Sequence, residues 1–126
     1  MEPLHAMQTA AWLLGIGAAG GLLMAGIRFT GQSNPPTWLA MVHGLIGAAA
    51  LTLLIYAWWT VGLPAGAQLA VILLLAAAAG GAAMNLMYHW RQLPLPKSWI
   101  VGHGLLAVAG FLSLLYALRT PVLAVP

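Results

Sequence analysis

The chain contains no cysteine and almost no acid: Glu2 is its only carboxylate side chain. Without cysteine there is no disulfide framework, no thiolate nucleophile and no cysteine-based metal site. Charge of either sign is scarce. Lys plus Arg total 4 and Asp plus Glu total 1 among 126 residues, so 4% of the chain is charged. A soluble domain carries about 25% charged residues, which excludes a water-soluble globule. Disorder requires low hydrophobicity and high charge, whereas 63% of this chain is hydrophobic and its mean hydropathy is +0.97. The isoelectric point near 10.0 reflects missing acids, not a basic patch. With a net charge of only +3, nucleic acid is not an expected partner. What remains is a single-domain integral membrane protein whose first partner is the lipid bilayer.

The long apolar runs predict an all-α, up-down bundle of four transmembrane helices at 8–29, 37–58, 68–89 and 97–118. Each run is long enough, at about 1.5 Å per residue, to cross a hydrocarbon core of about 30 Å. Glu2, Arg28, Arg91, Lys97 and Arg119 then all fall at span ends or outside the spans. A charge at mid-membrane costs several kcal/mol, so this agreement supports the boundaries. Pro36 and Pro96 precede the second and fourth spans, as suits helix starts. Gly62, Pro64 and Gly66 break the middle connection. The start, Met-Glu-Pro-Leu-His-Ala-Met-Gln, has no positive n-region, so the first span reads as a mature helix rather than a signal peptide. Let side A hold the N-terminus. Side B then holds Arg28, Arg91 and Lys97, which places side B in the cytoplasm and both termini on the non-cytoplasmic side.

Sliding the chain along itself by 60 residues, without a gap, brings 19 identical pairs into register. Ala and Leu matches are cheap in such a chain. The matches of Gly20-Gly21 with Gly80-Gly81, Met24 with Met84, Gln32 with Gln92, Pro36 with Pro96, His43-Gly44-Leu45 with His103-Gly104-Leu105, and Tyr56 with Tyr116 are not. The pattern reads as a duplicated helical hairpin, 1–60 and 61–120, with the two copies related by an axis along the membrane normal. In a four-helix ring, His43 and His103 then lie at one depth on opposed helices, about 9 Å below the side-B end. Met24 and Met84 come to about 7.5 Å from the same end. Small residues flank all four (Gly17, Gly21, Gly47, Ala50, Gly81, Ala107 and Gly110), marking packed faces rather than lipid faces.

An ionisable residue inside a membrane is a functional hypothesis by default. The matched histidines suggest bis-histidine ligation of haem b, which needs two neutral imidazoles at one depth on opposed helices. Arg28 and Arg91, with Lys97, lie on the side where haem propionates would emerge. Met24, His43, Met84 and His103 together offer an alternative Cu(I) site of thioethers and imidazoles. Each functional reading has a bland competitor. A membrane histidine can simply hydrogen-bond a neighbouring helix. Methionine fills core gaps. His89, at the end of the third span, is a third ligand, a proton-access group, a quinone contact or an ordinary interfacial residue. His5 reads as solvated. Tyr56, Tyr116 and most of the tryptophans fit interfacial belts, and Asn85 reads as an interhelical hydrogen-bonding group.

No Asp or Glu lies inside a span, which disfavours carboxylate-based antiport. No His-x-x-x-His, Gly-x-Ser-x-Gly or paired-carboxylate motif exists, so no catalytic residue is assigned and no independent enzymatic activity is expected. The leading expectation is a small b-type, haem-binding electron-transfer protein or subunit. The alternatives are a non-catalytic accessory or assembly subunit of a larger membrane complex, and a Cu(I)-binding protein. Other membrane subunits or a quinone are the partners these readings imply.

The stretch His-Trp-Arg-Gln-Leu-Pro-Leu-Pro-Lys-Ser-Trp-Ile-Val-Gly-His-Gly-Leu-Leu-Ala, His89 to Ala107, resembles a motif of small bacterial four-helix membrane proteins. In these, a basic, proline-containing loop precedes a helix opening with His-Gly-Leu-Leu-Ala. The resemblance implies a bacterial inner-membrane protein and supplies no activity. The plan with opposed histidines is similar in architecture to membrane cytochromes b, an analogy of design only.

Overall fold

The computed structural model describes residues 1–120. It contains four helices, α1 (Pro3–Thr30), α2 (Thr37–Val61), α3 (Ala65–Met84, continuing through a π turn at Asn85–His89) and α4 (Lys97–Arg119), and no strand among the described residues. All four are long and apolar enough to cross a membrane.

Proline sets most of the starts. Pro3 opens α1 in its first turn, where a missing N–H costs nothing. Pro36, Pro64 and Pro96 stand immediately before α2, α3 and α4. Their carbonyls accept the first helical N–H groups, those of Leu39 and Ala40, Ala67 and Gln68, and Trp99 and Ile100. α2 and α4 therefore begin at the expected residues. α1 begins five residues before the expected Gln8, because Ala6 and Met7 pack fully into the core and carry the helix toward the N-terminus. α3 begins at Ala65 instead of Gln68, leaving Gly62-Leu63-Pro64 as the whole middle linker. Gly62 turns the chain with φ 78° and ψ 156°, a region open essentially to glycine alone.

α1 packs chiefly on α2 and α3 on α4, and thinner α2–α3 and α1–α4 seams close the ring. The packed core fills the side-A half. Ala10, Leu54, Ala70 and Leu114 there are wholly buried. Small residues allow close approach: a Cβ at Gly110 would stand 2.9 Å from Leu74 Cγ and 3.3 Å from the Ala70 carbonyl. The side-B half is built differently. No residue of α2 before Ala50, or of α4 before Gly110, is buried. The outer surface is rich in large apolar side chains, with Trp59 90%, Trp12 78% and Leu22 74% exposed.

Side B is closed by its two loops. Asn34 Nδ2 donates to the Leu93 carbonyl (2.7 Å), and Leu95 N–H donates to Asn34 Oδ1 (3.0 Å). Arg28 Nε donates to the Leu95 carbonyl (3.1 Å) and His89 Nε2 to the Pro35 carbonyl (2.9 Å). The carbonyls of Pro35 and Leu95, both buried residues, thus each accept one side chain from the opposite hairpin.

Candidate functional site

His43 lies six residues into α2, and its ring rests on α1. Nδ1 stands 2.9 Å from the Gly17 carbonyl oxygen. His103 repeats this on the second hairpin, with Nδ1 2.8 Å from the Ala77 carbonyl oxygen of α3. A carbonyl can only accept, so Nδ1 carries a proton in both rings; in a neutral imidazole the Nε2 lone pair is then available. Neither Nε2 has a hydrogen-bond partner among the described residues.

Glycine makes room for each ring. Gly21 and Gly81 stand one turn beyond the accepting carbonyls. A Cβ at Gly21 would lie 3.1 Å from His43 Cε1, and a Cβ at Gly81 3.1 Å from His103 Cε1. A Cβ at either position would require the imidazole to give by a few tenths of an ångström.

The two rings meet between the diagonally opposed α2 and α4. Their centroids are 6.1 Å apart and their planes cross at 71°. Both histidines are half-buried. One turn below His43, a Cβ at Gly47 would meet nothing within 4 Å.

The other expected residues lie around this pair or beyond it. Met84 is buried and Met24 half-buried, each three residues beyond the glycine that seats a histidine. Arg28 lies seven residues past Gly21, about 10 Å further along α1, and its Nε donates to the Leu95 carbonyl. Arg91 is exposed in the second side-B loop. Lys97 sits over the Phe29 ring, 5.4 Å from its centroid. Tyr56 and Tyr116 are exposed near side A, and His5 is exposed on the first turn of α1.

His89 departs from the interfacial expectation. It is 4% exposed and serves as a tie between the two loops. Phe29, its counterpart at an offset of 60 residues, is 45% exposed. The difference arises in the π turn, where Trp90 N–H bonds to the Asn85 carbonyl and Leu93 N–H to that of Tyr88. Widening that turn rotates His89 inward, whereas α1 remains a regular helix at the same level. The accepting carbonyls of Gly17 and Ala77 also escaped the sequence reading; the matched Gly21 and Gly81 were the available clue.

Among the described residues no group of three or more His, Cys, Asp or Glu side chains converges. The site is thus a pair of Nδ1-anchored imidazoles with two unpartnered Nε2 atoms and no neighbouring carboxylate among the described residues. A metal–imidazole bond of about 2.0 Å sets two imidazoles on opposite sides of one ion with centroids about 6 Å apart, in agreement with the observed spacing. Comparisons with protein-family models, with curated proteins and with solved structures each returned no match.

Proposed function

We propose that the protein is a bacterial inner-membrane, b-type haem-binding electron-transfer protein, with His43 and His103 as the two axial ligands. The observation that carries this reading is the pairing of two Nδ1-anchored imidazoles 6.1 Å apart, both with Nε2 free. The donor set fits haem better than a bare ion. A macrocycle supplies four ligands to its iron and needs two more. A bare ion such as zinc takes four protein ligands in a structural site, and no third His or carboxylate joins the pair. When bound, haem supplies reversible one-electron chemistry. The chain's own contribution is to fix tautomer and ring direction through the two carbonyls, and to exclude water with the packed side-A half. Arg28 and Arg91, at the side-B end, are the cations offered to the propionates.

Membrane insertion is part of the proposal. It rests on four apolar helices and on an outer surface with Trp59, Trp12 and Leu22 exposed, far more apolar than water-soluble monomers tolerate. Tandem duplication of a hairpin accounts for the 60-residue sequence register and for two imidazole–carbonyl bonds that each span 26 residues. Side B faces the cytoplasm in this reading.

The test is a reduced-minus-oxidised visible spectrum of protein purified from haem-supplied cells. A sharp low-spin b-type α band is expected. A folded protein without haem absorbance would overturn the proposal. Copper found in its place, and lost on replacing Met24 and Met84, would move the assignment to the Cu(I) reading.

A further inference from the structure

His89 is held by one ring nitrogen only. Nε2 donates to the Pro35 carbonyl at 2.9 Å, and Nδ1 has no partner among the described residues. The residue is 4% exposed, yet no fully enclosed side-chain nitrogen or oxygen lacks a partner among the described residues. Nδ1 therefore opens onto space and not onto packed atoms. The space that His89 lines is a cleft of about 440 Å³ between the two side-B loops, within the ~300–1,000 Å³ usual for small-molecule sites. Gln32, Ser33, Asn34, Thr37 and Gln92 give it polar walls.

The start of α2 forms one of those walls. The Pro36 carbonyl accepts the N–H groups of Leu39 and Ala40, which leaves those of Thr37 and Trp38 without a backbone acceptor among the described residues. Free N–H groups and the helix dipole make that end a seat for an anion. Charge points the same way. Arg28, Arg91 and Lys97 gather on side B, whereas the only acidic side chain, Glu2, precedes α1 on side A. No side-chain carboxylate is at hand to neutralise these cations or to ligate a metal. His89 Nδ1 adds a demand of its own. One proton must lie between it and the ligand, because two lone pairs repel. A phosphate group meets all of these conditions. Its oxygens accept from N–H and hydroxyl groups, and either a P–OH donates to Nδ1 or a protonated Nδ1 donates to a P–O⁻ oxygen.

We propose that this cleft is a phosphate-binding site, with His89 Nδ1 as its buried contact and the N-terminus of α2 as its N–H donor. It is separate from the His43–His103 pair and independent of the haem reading. The phosphate is either free in the aqueous phase or the phosphomonoester headgroup of a lipid.

The experiment has two arms on the full chain. Detergent-solubilised protein is titrated with inorganic phosphate by calorimetry, and retention of phosphatidic acid over phosphatidylcholine is measured by native mass spectrometry. Wild type is compared with His89→Gln and Thr37→Pro. In His89→Gln the amide nitrogen takes the place of Nε2 and keeps the Pro35 bond, while Nδ1 is lost. Thr37→Pro removes one free N–H at the first helical position, where proline is tolerated. The expected result is saturable binding in at least one arm, weakened about tenfold in His89→Gln and weakened also in Thr37→Pro, with an unchanged unfolding midpoint in His89→Gln. Binding of inorganic phosphate names the free anion as the source, and selective retention of phosphatidic acid alone names the lipid. No binding by the folded wild type in either arm overturns the proposal. So does binding that neither substitution weakens.

Discussion

His89 donates its Nε2–H to the carbonyl of Pro35, 2.9 Å away, across the gap between the two side-B loops. The imidazole is 4% exposed and Pro35 is buried, so water does not replace either partner. Removing the donor leaves a buried carbonyl unsatisfied, at a cost of about 1–3 kcal/mol. His89→Ala is therefore expected to lower the unfolding midpoint in detergent. It is also expected to raise amide exchange in 90–96 above that of the α2–α3 connection. Exchange equal to wild type in that loop would show that the tie does not hold it.

Much of this architecture was legible beforehand, and its failures have physical causes. The starts of α2 and α4 were readable because proline forbids a preceding helical turn. The His43–His103 pairing was readable because the offset of 60 residues put two rare side chains in register. The loop clasp was not readable. It depends on Arg28, Asn34 and His89, whose counterparts at that offset are Tyr88, Pro94 and Phe29. A periodicity argument is blind where the two hairpins differ. The π turn had no sequence signature either, since Asn-Leu-Met-Tyr-His suits an ordinary helix as well. The carbonyls that receive the imidazoles were invisible because main-chain acceptors carry no residue identity.

Backbone strain gives a second expectation. Gly62 occupies φ 78° and ψ 156° in a three-residue linker. Nothing lies within 4 Å of a Cβ built there, so any penalty comes from the backbone and not from a clash. Gly62→Ala should cost on the order of 1–3 kcal/mol, seen as a lower thermal midpoint with unchanged helix content by circular dichroism. An unchanged midpoint would mean that the linker adopts another conformation.

Packing gives the opposite case, where the backbone is ordinary and space decides. Gly110 sits in the middle of α4, and an added Cβ would meet Leu74 Cγ at 2.9 Å. Gly110→Val should separate α3 from α4 and cost about 1–3 kcal/mol through overpacking. Gly80→Ala, with open space at its Cβ, should be neutral or slightly stabilising because alanine is the better helix former. Denaturation in mild detergent compares the two; equal effects would contradict the close α3–α4 contact.

The absence of cysteine makes the topology easy to test. Ser33 lies exposed in the first side-B loop and Ala65 exposed at the side-A start of α3. With Arg28, Arg91 and Lys97 on side B, a cytoplasmic side B is expected. An impermeant maleimide applied to intact spheroplasts should then label Ala65→Cys and spare Ser33→Cys until the membrane is opened. The reverse pattern would invert the orientation.

The histidine pair makes the sharpest demand, because under the proposed haem reading two ligands of one iron would act as a unit. His43→Ala and His103→Ala remove different side chains from different hairpins, and each leaves the other ring's carbonyl bond intact. Were the rings only interhelical glue, each substitution would remove one hydrogen bond. The two losses would then add, at about 1 kcal/mol apiece. With a shared iron, either substitution removes six-coordination and the second adds little. The expected result is loss of the low-spin b-type spectrum in each single variant, with the double variant no different from either single. Full low-spin absorbance in one of the singles would show that the iron is not held between His43 and His103.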